Sequence, residues 1–133
     1  MLEMFTNPKG VAVIGASTSP EKLGYQVLDN IIKYGYEGGI YPVNPTAPEI
    51  LGRRAYPSVL QCPDPVDMAV ILVPNKAVPA VLEECGQRGL GGAVVITAGF
   101  REVGPTGKAL EQRLIEIVKR YGMDGGPQRP RHH

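Results

Sequence analysis

Gly10-Val-Ala-Val-Ile-Gly15, running on through Gly15-Ala-Ser-Thr-Ser-Pro-Glu-Lys-Leu-Gly24, decides how the rest of the chain is read. The first half is short, apolar and β-branched, and a glycine closes it. That is a buried strand. The second half is small, polar and glycine-bounded, and an apolar stripe of helical period follows. Leu23, Val27, Ile31 and Tyr34 fall on one line with Leu28 and Ile32 beside it, so a helix is expected over 23–34, ending at Gly35. Where a strand hands over to a helix, main-chain N–H groups point outward unpaired, and the helix dipole favours negative charge there. Ser17, Thr18 and Ser19 add hydroxyls, Lys22 offers a cation, Gly15 allows a tight exit from the strand, and Gly24 permits a close approach of backbone to ligand or of helix to sheet. Capping alone, with Ser19 as N-cap and Pro20 at the first helical position, would explain those two residues. It would not explain the run Gly15-Ala16-Ser17-Thr18. We read the loop as a holder of the phosphates of a nucleotide-type cofactor. On that reading Gly15→Val weakens ligand binding with little loss of fold.

Working outward, the pattern repeats. Gly39 to Asn44 reads as a second strand whose outer part Pro42 places at an edge, with Asn44-Pro45 turning the chain. A weak strand is expected near Arg54. Val66–Val73 is a further strand ending at Pro74, and a helix striped by Ala77, Val78, Val81, Leu82 and Cys85 stops near Gly89. Ala93–Thr97 is the last strand, and a helix over about 106–121 closes the pattern, with Glu116 able to face Arg120. Strands that are apolar on both faces and alternate with helices define an α/β fold: a Rossmann-like three-layer domain with a mostly parallel sheet. The expected order is 3-2-1-4-5, counting the weak strand as third, with ligands beyond the carboxyl ends of the strands. Residues 1–122 form this single domain, and 123–133, polar and broken by proline, are expected to be a disordered tail. On the same rim as the first loop lie Val73-Pro74-Asn75-Lys76 and Thr97-Ala98-Gly99-Phe100.

Bulk properties narrow the function. The 133 residues carry 14 Lys+Arg against 13 Asp+Glu, a net charge of +1, which is no footprint for nucleic acid. No apolar run approaches the length of a membrane span, and residues 1–10 do not read as a signal peptide, so a cytoplasmic location is expected. The two cysteines, Cys62 and Cys85, form no metal-spaced pair; they read as free thiols, Cys85 in the core and Cys62 in a loop where it could be exposed. The two histidines stand at 132 and 133, so no core imidazole is at hand as base or phosphoryl carrier, and no metal cluster is evident. Asp64 and Asp67 lie at the wrong rim, while Glu102 follows the ligand rim. This inventory suits binding better than catalysis. There is no GxxxxGK[ST], no GxGxxG, and no carboxylate closing the second strand, where Asn44 stands instead. An NAD-type enzyme or sensor is therefore disfavoured without being eliminated.

Several signatures taken in order carry a likeness: Asn7-Pro8-Lys9 through Val13-Ile14-Gly15-Ala16-Ser17, then Tyr41-Pro42-Val43-Asn44-Pro45, Ala55-Tyr56-Pro57-Ser58, Pro65-Val66-Asp67, Val73-Pro74, and Ile96-Thr97-Ala98-Gly99-Phe100 with Glu102. The chain resembles the CoA-binding domain of the NDP-forming acyl-CoA synthetases, the superfamily of acetate–CoA ligase and the succinyl-CoA synthetase alpha subunit. The resemblance implies coenzyme A or an acyl-CoA as ligand. Gly15, Ala16, Ser17, Thr18, Ser19 and Lys22, with Gly24, would wrap its phosphates. Pro42, Val43, Asn44 and Pro45 would line the nucleotide portion, and Val73, Pro74, Asn75, Thr97, Ala98 and Gly99 the remaining length. Thr46 stands where relatives often carry a lysine. Relatives continue into a second Rossmann-like domain with a phosphorylated histidine, of which Gly125-Gly126-Pro127-Gln128 is at most a broken echo. The expected function is CoA binding by a stand-alone or truncated module without ligase activity of its own, with a structural or assembly role in a split synthetase as the alternative. A second ligase subunit or a homo-oligomer is the implied partner.

Overall fold

The computed structural model describes residues 9–36, 38–96, 105–122 and 124–126. Strand β1 (Gly10–Ile14) is buried at every position and sits inside a five-stranded sheet. It pairs in parallel with β2 (Gly39–Val43) on one side and with β5 (Met68–Ile71) on the other. β5 pairs with β6 (Gly92–Val95), and β6 with β7 (Asp124–Gly126), both again parallel. The order is β2-β1-β5-β6-β7.

Period two along β1 sends alternate side chains into two cores. Val11 and Val13 meet Leu28 of helix α1 (Leu23–Tyr34) on one face. Ala12 and Ile14 belong on the other face with Leu82 and Cys85 of α2 (Val78–Arg88) and Leu114 and Ile117 of α3 (Pro105–Tyr121). Helices on both sides of a parallel sheet make the three-layer Rossmann-like α/β arrangement expected from the alternation of elements. No helix among the described residues is long and apolar enough to cross a membrane.

Four details differ from the sequence expectation. The weak strand near Arg54 does not join the main sheet. Arg53–Arg54 (β4) pairs antiparallel with Glu49–Ile50 (β3) in a side hairpin, and only Tyr56 reaches the sheet, through a parallel bridge to Val43. Leu51 and Gly52 both take positive φ, 52° and 77°, the geometry of a two-residue hairpin turn that Leu-Gly does not advertise. The segment 123–133, expected to be disordered, contributes β7 at Asp124–Gly126. Two glycines carry no apolar pattern, so their pairing with β6 is invisible to a periodicity reading.

The third difference is the face of α1. Leu28 is fully buried and Gly24 is buried, whereas Leu23 is 51% exposed and Tyr34 88%. A Cβ on Gly24 would overlap the Gly15 carbonyl. This close contact turns the helix so that positions 24 and 28 face the sheet. Lastly, Arg120 meets Glu83 of α2 at 2.6 Å rather than Glu116 of its own helix.

Candidate functional site

β1, β2, β5 and β6 all run the same way, so the segments that follow them gather on one rim. Hydrogen bonds beyond the strands tie these exits together. Gly15 N donates to Val43 O at 3.1 Å, Leu72 N to Ile14 O at 2.7 Å, and Ile96 N to Ile71 O at 2.9 Å. Gly15 holds φ +99° and lies so close to Leu72 that a Cβ would overlap the Leu72 carbonyl. The first loop therefore leaves β1 pressed against the exit of β5, a contact that no sequence signal announces.

From Ala16 onward the loop opens. Ala16 is buried, Ser17 and Ser19 are half-buried, and Thr18 and residues 20–23 are exposed. The Ser19 amide donates to Ser17 Oγ at 3.0 Å, and Lys22 N donates to Ser19 O at 3.0 Å. This extra turn moves the start of the helix. The N-cap is Lys22, extended at φ −86° and ψ 147° with no side-chain cap bond, and not Ser19 as the Ser-Pro pair suggests. The amides of Ser17, Thr18, Leu23 and Gly24 find no acceptor among the described residues. A helix start leaves its first N–H groups orphaned, and a ligand can satisfy them. Lys22 is exposed and forms no ion pair among the described residues. The rim thus offers main-chain donors and a cation, an arrangement that suits an anion.

The other sequence candidates fall into two groups. Asn44, Pro45 and Asn75 reach the rim half-buried or exposed, and Pro74 is exposed at φ −59° and ψ 153° before a 3-10 turn at Asn75–Ala77. Pro42 and Val43 are buried in the sheet, and Val73 is partly buried against the core beside α2. Thr97, Ala98, Gly99, Phe100 and Glu102 lie outside the described residues. Gly24 serves the helix-to-sheet contact, so of the two uses its lack of a side chain allowed, the structure shows packing.

Asn44 does more than the sequence suggests. Its Oδ1 accepts from Thr46 N at 2.9 Å, Thr46 Oγ1 at 3.2 Å and Ala47 N at 2.8 Å, and its Nδ2 donates to Ala16 O at 2.9 Å. An Asn-Pro pair after a strand signals a side-chain-closed turn, but not the reach back to the first loop.

On the opposite rim, Asp67 receives the amides of Lys9 (3.1 and 3.0 Å) and Gly10 (3.2 Å), anchoring the start of β1. Asp64 pairs with Arg88 at 2.6 Å. Both acids are structural. Cys62 is buried, 4% exposed, and does not sit at the surface as its proline-rich surroundings allowed. Among the described residues no group of three His, Cys, Asp or Glu could hold a metal ion.

These features define a doubly wound α/β domain whose carboxyl rim presents main-chain donors at the first strand-to-helix loop. The chain belongs to the CoA binding domain family, which it matches over residues 9–127, and it is homologous to the CoA-binding portion of the ADP-forming acyl-CoA ligases. It is 56% identical over 126 residues to the alpha subunit of acetate–CoA ligase [ADP-forming] I from Pyrococcus furiosus, covering 92% of this chain and 27% of that protein. It superposes with a TM-score of 0.90 and 48% identity on the dinucleotide-forming acetyl-coenzyme A synthetase 1 of Ca. Korarchaeum cryptofilum in complex with phosphate and ADP, over 96% of this chain and 27% of that one. The chain thus spans about a quarter of the length of these relatives. A conserved hypothetical protein from Pyrococcus furiosus is similar over nearly its whole length: the match covers 88% of this chain and 90% of that one, at a TM-score of 0.71 and 26% identity.

Proposed function

We propose that this chain binds coenzyme A or an acyl-CoA as a module without ligase activity of its own. The observation that carries the reading is the set of amides at Ser17, Thr18, Leu23 and Gly24 without acceptors among the described residues, on the open rim of a CoA-binding-family domain. These amides and the Lys22 ammonium would hold the phosphates, and the Ser17 and Thr18 hydroxyls would add donors. Asn75 and the backbone around Pro74, on the neighbouring exit, would border the rest of the ligand. The described residues supply binding and orientation; the thiol chemistry belongs to the cofactor. A ligase relative's further segments would be the partner, either as a second subunit or in a larger assembly. The homology to a ligase named as an alpha subunit supports that view. The buried thiols suit a reducing cytoplasm.

The test is calorimetric titration and thermal melting with CoA, dephospho-CoA, NAD and ATP. A ligand that binds only the native state raises stability by about 2.7 kcal/mol at a hundredfold excess over its Kd. CoA is expected to raise Tm by several degrees and to exceed NAD and ATP. Equal shifts with all of them, or none, would reject the assignment.

A further inference from the structure

We propose that Asn44 is a positioning residue for the anion-binding loop: its side-chain amide holds the Ala16 carbonyl and thereby leaves the Ser17 and Thr18 amides open to the ligand. The proposal rests on the CoA reading and gives that site a mechanical support from outside the loop.

The orientation of the Asn44 amide is determined by its neighbours. Two main-chain N–H groups, from Thr46 and Ala47, converge on one end at 2.9 and 2.8 Å, and only an oxygen can accept both. The nitrogen end must therefore face Ala16 O, at 2.9 Å. The consequence is electrostatic. A free carbonyl beside Ser17 and Thr18 would repel an anion approaching their amides. Hydrogen-bonded to Asn44, the Ala16 carbonyl is satisfied, and in that same trans peptide the Ser17 N–H points the opposite way. An aspartate could close the same turn but has no hydrogen to donate, so the asparagine where dinucleotide-binding domains carry an acid has a role of its own.

The backbone of Asn44 is held independently. Its N–H donates to Tyr56 O at 2.9 Å, and Gly15 N donates to Val43 O at 3.1 Å. Losing the side chain therefore leaves the strand end in place and frees the first loop and the 44–47 turn. Asn44→Ser keeps a short acceptor for the turn but cannot reach Ala16.

The experiment compares wild type and N44S, both confirmed folded by circular dichroism at the working temperature. N44S is expected to bind CoA and inorganic pyrophosphate roughly tenfold more weakly, the scale of one hydrogen bond to a charged group. Without ligand, its Ser17 and Thr18 amides should shift in a 15N spectrum while those of β1 stay put. A purely structural role would lower Tm and leave the folded protein's affinities unchanged. Unchanged affinity in folded N44S overturns the proposal. Should N44S fail to fold, wild type decides alone: a through-hydrogen-bond coupling between Asn44 Nδ2 and the Ala16 carbonyl carbon supports the clasp, and its absence overturns it. If wild type binds no CoA, the functional reading fails while the coupling still reports on the clasp.

Discussion

A methyl group on Gly15 has no room. At φ +99° any L-residue is strained, and its Cβ would overlap the Leu72 carbonyl. The sequence expectation that Gly15→Val would weaken binding and spare the fold is therefore replaced by a different one. Even Gly15→Ala should cost about 2–4 kcal/mol, combining positive-φ strain with overpacking. Gly35 supplies the control. It also holds positive φ, +89°, with nothing within 4 Å of an added Cβ, so Gly35→Ala should lose only about 1 kcal/mol. Urea unfolding of the two variants checks this, and equal losses would show that the Leu72 contact is soft. The cysteines make a second case at the same scale. Burial pushes Cys62 up to about 11, opposed by Arg88, and Cys85 up to about 12, with Glu84 and Cys62 adding to the burial effect. At pH 8 only about one Cys62 in a thousand is a thiolate, so both thiols should ignore a disulfide reagent in the native state and react at once in guanidinium. A fast native reaction of either would contradict the packing.

At the scale of elements, helices α2 and α3 are joined by Glu83. Its carboxylate accepts from Tyr121 Oη at 2.7 Å and from Arg120 at 2.6 Å, and the Tyr121 ring lies over Gly86. The Tyr121 hydrogen bond is the largest influence on the Glu83 carboxyl; desolvation opposes it, and the Arg120 charge and hydrogen bond, with Arg113, complete a net shift below the ordinary value of 4.5. A lowered folded value means stability that is present above the unfolded glutamate range and lost as pH falls through the folded value. Glu83→Gln should therefore lower Tm by a few degrees at pH 7, and the gap should close as the pH drops below 4.5. Melting curves across that window test it; a gap that persists in acid would assign the effect to packing instead. This pairing was not legible in the sequence, because Arg120 also has Glu116 at the spacing that suits a helix pair, and only the docking of α2 on α3 selects Glu83. The strands β1, β2, β5 and β6 and the three helices were legible, since each carries an apolar period that burial enforces. β7 was not, since its glycines carry no apolar pattern; of the side hairpin the weak strand at Arg53–Arg54 was legible, but its antiparallel partner Glu49–Ile50 was not, because tertiary position chooses it. The first loop was legible as a strand-to-helix turn with unpaired amides. Its internal division was not: the amide of Ser19 is used up locally, and Lys22, not Ser19, caps the helix.

For the molecule as a whole, the question is what a domain spanning about a quarter of a ligase's length can do. Joining an acid to CoA requires a donor that activates the carboxyl group and groups that move protons or a phosphoryl during transfer. The described residues hold no histidine, since both stand at 132 and 133. Two acids on the opposite rim are occupied elsewhere, Asp67 with the start of β1 and the exposed Asp64 with Arg88. Among the described residues the carboxyl rim, by contrast, offers main-chain donors and the Lys22 cation, a set that suits an anion. On the proposed reading, binding and chemistry separate. Supplied with acetate, CoA, ATP and magnesium, the isolated chain is expected to release no ADP and form no thioester while still being stabilised by CoA. Coupled ADP detection together with a melting curve on the same sample measures both. Turnover by the isolated chain would show that the rim holds reactive groups beyond those described. Turnover that appears only when a second ligase subunit is added would identify this domain as the CoA-holding part of a divided enzyme.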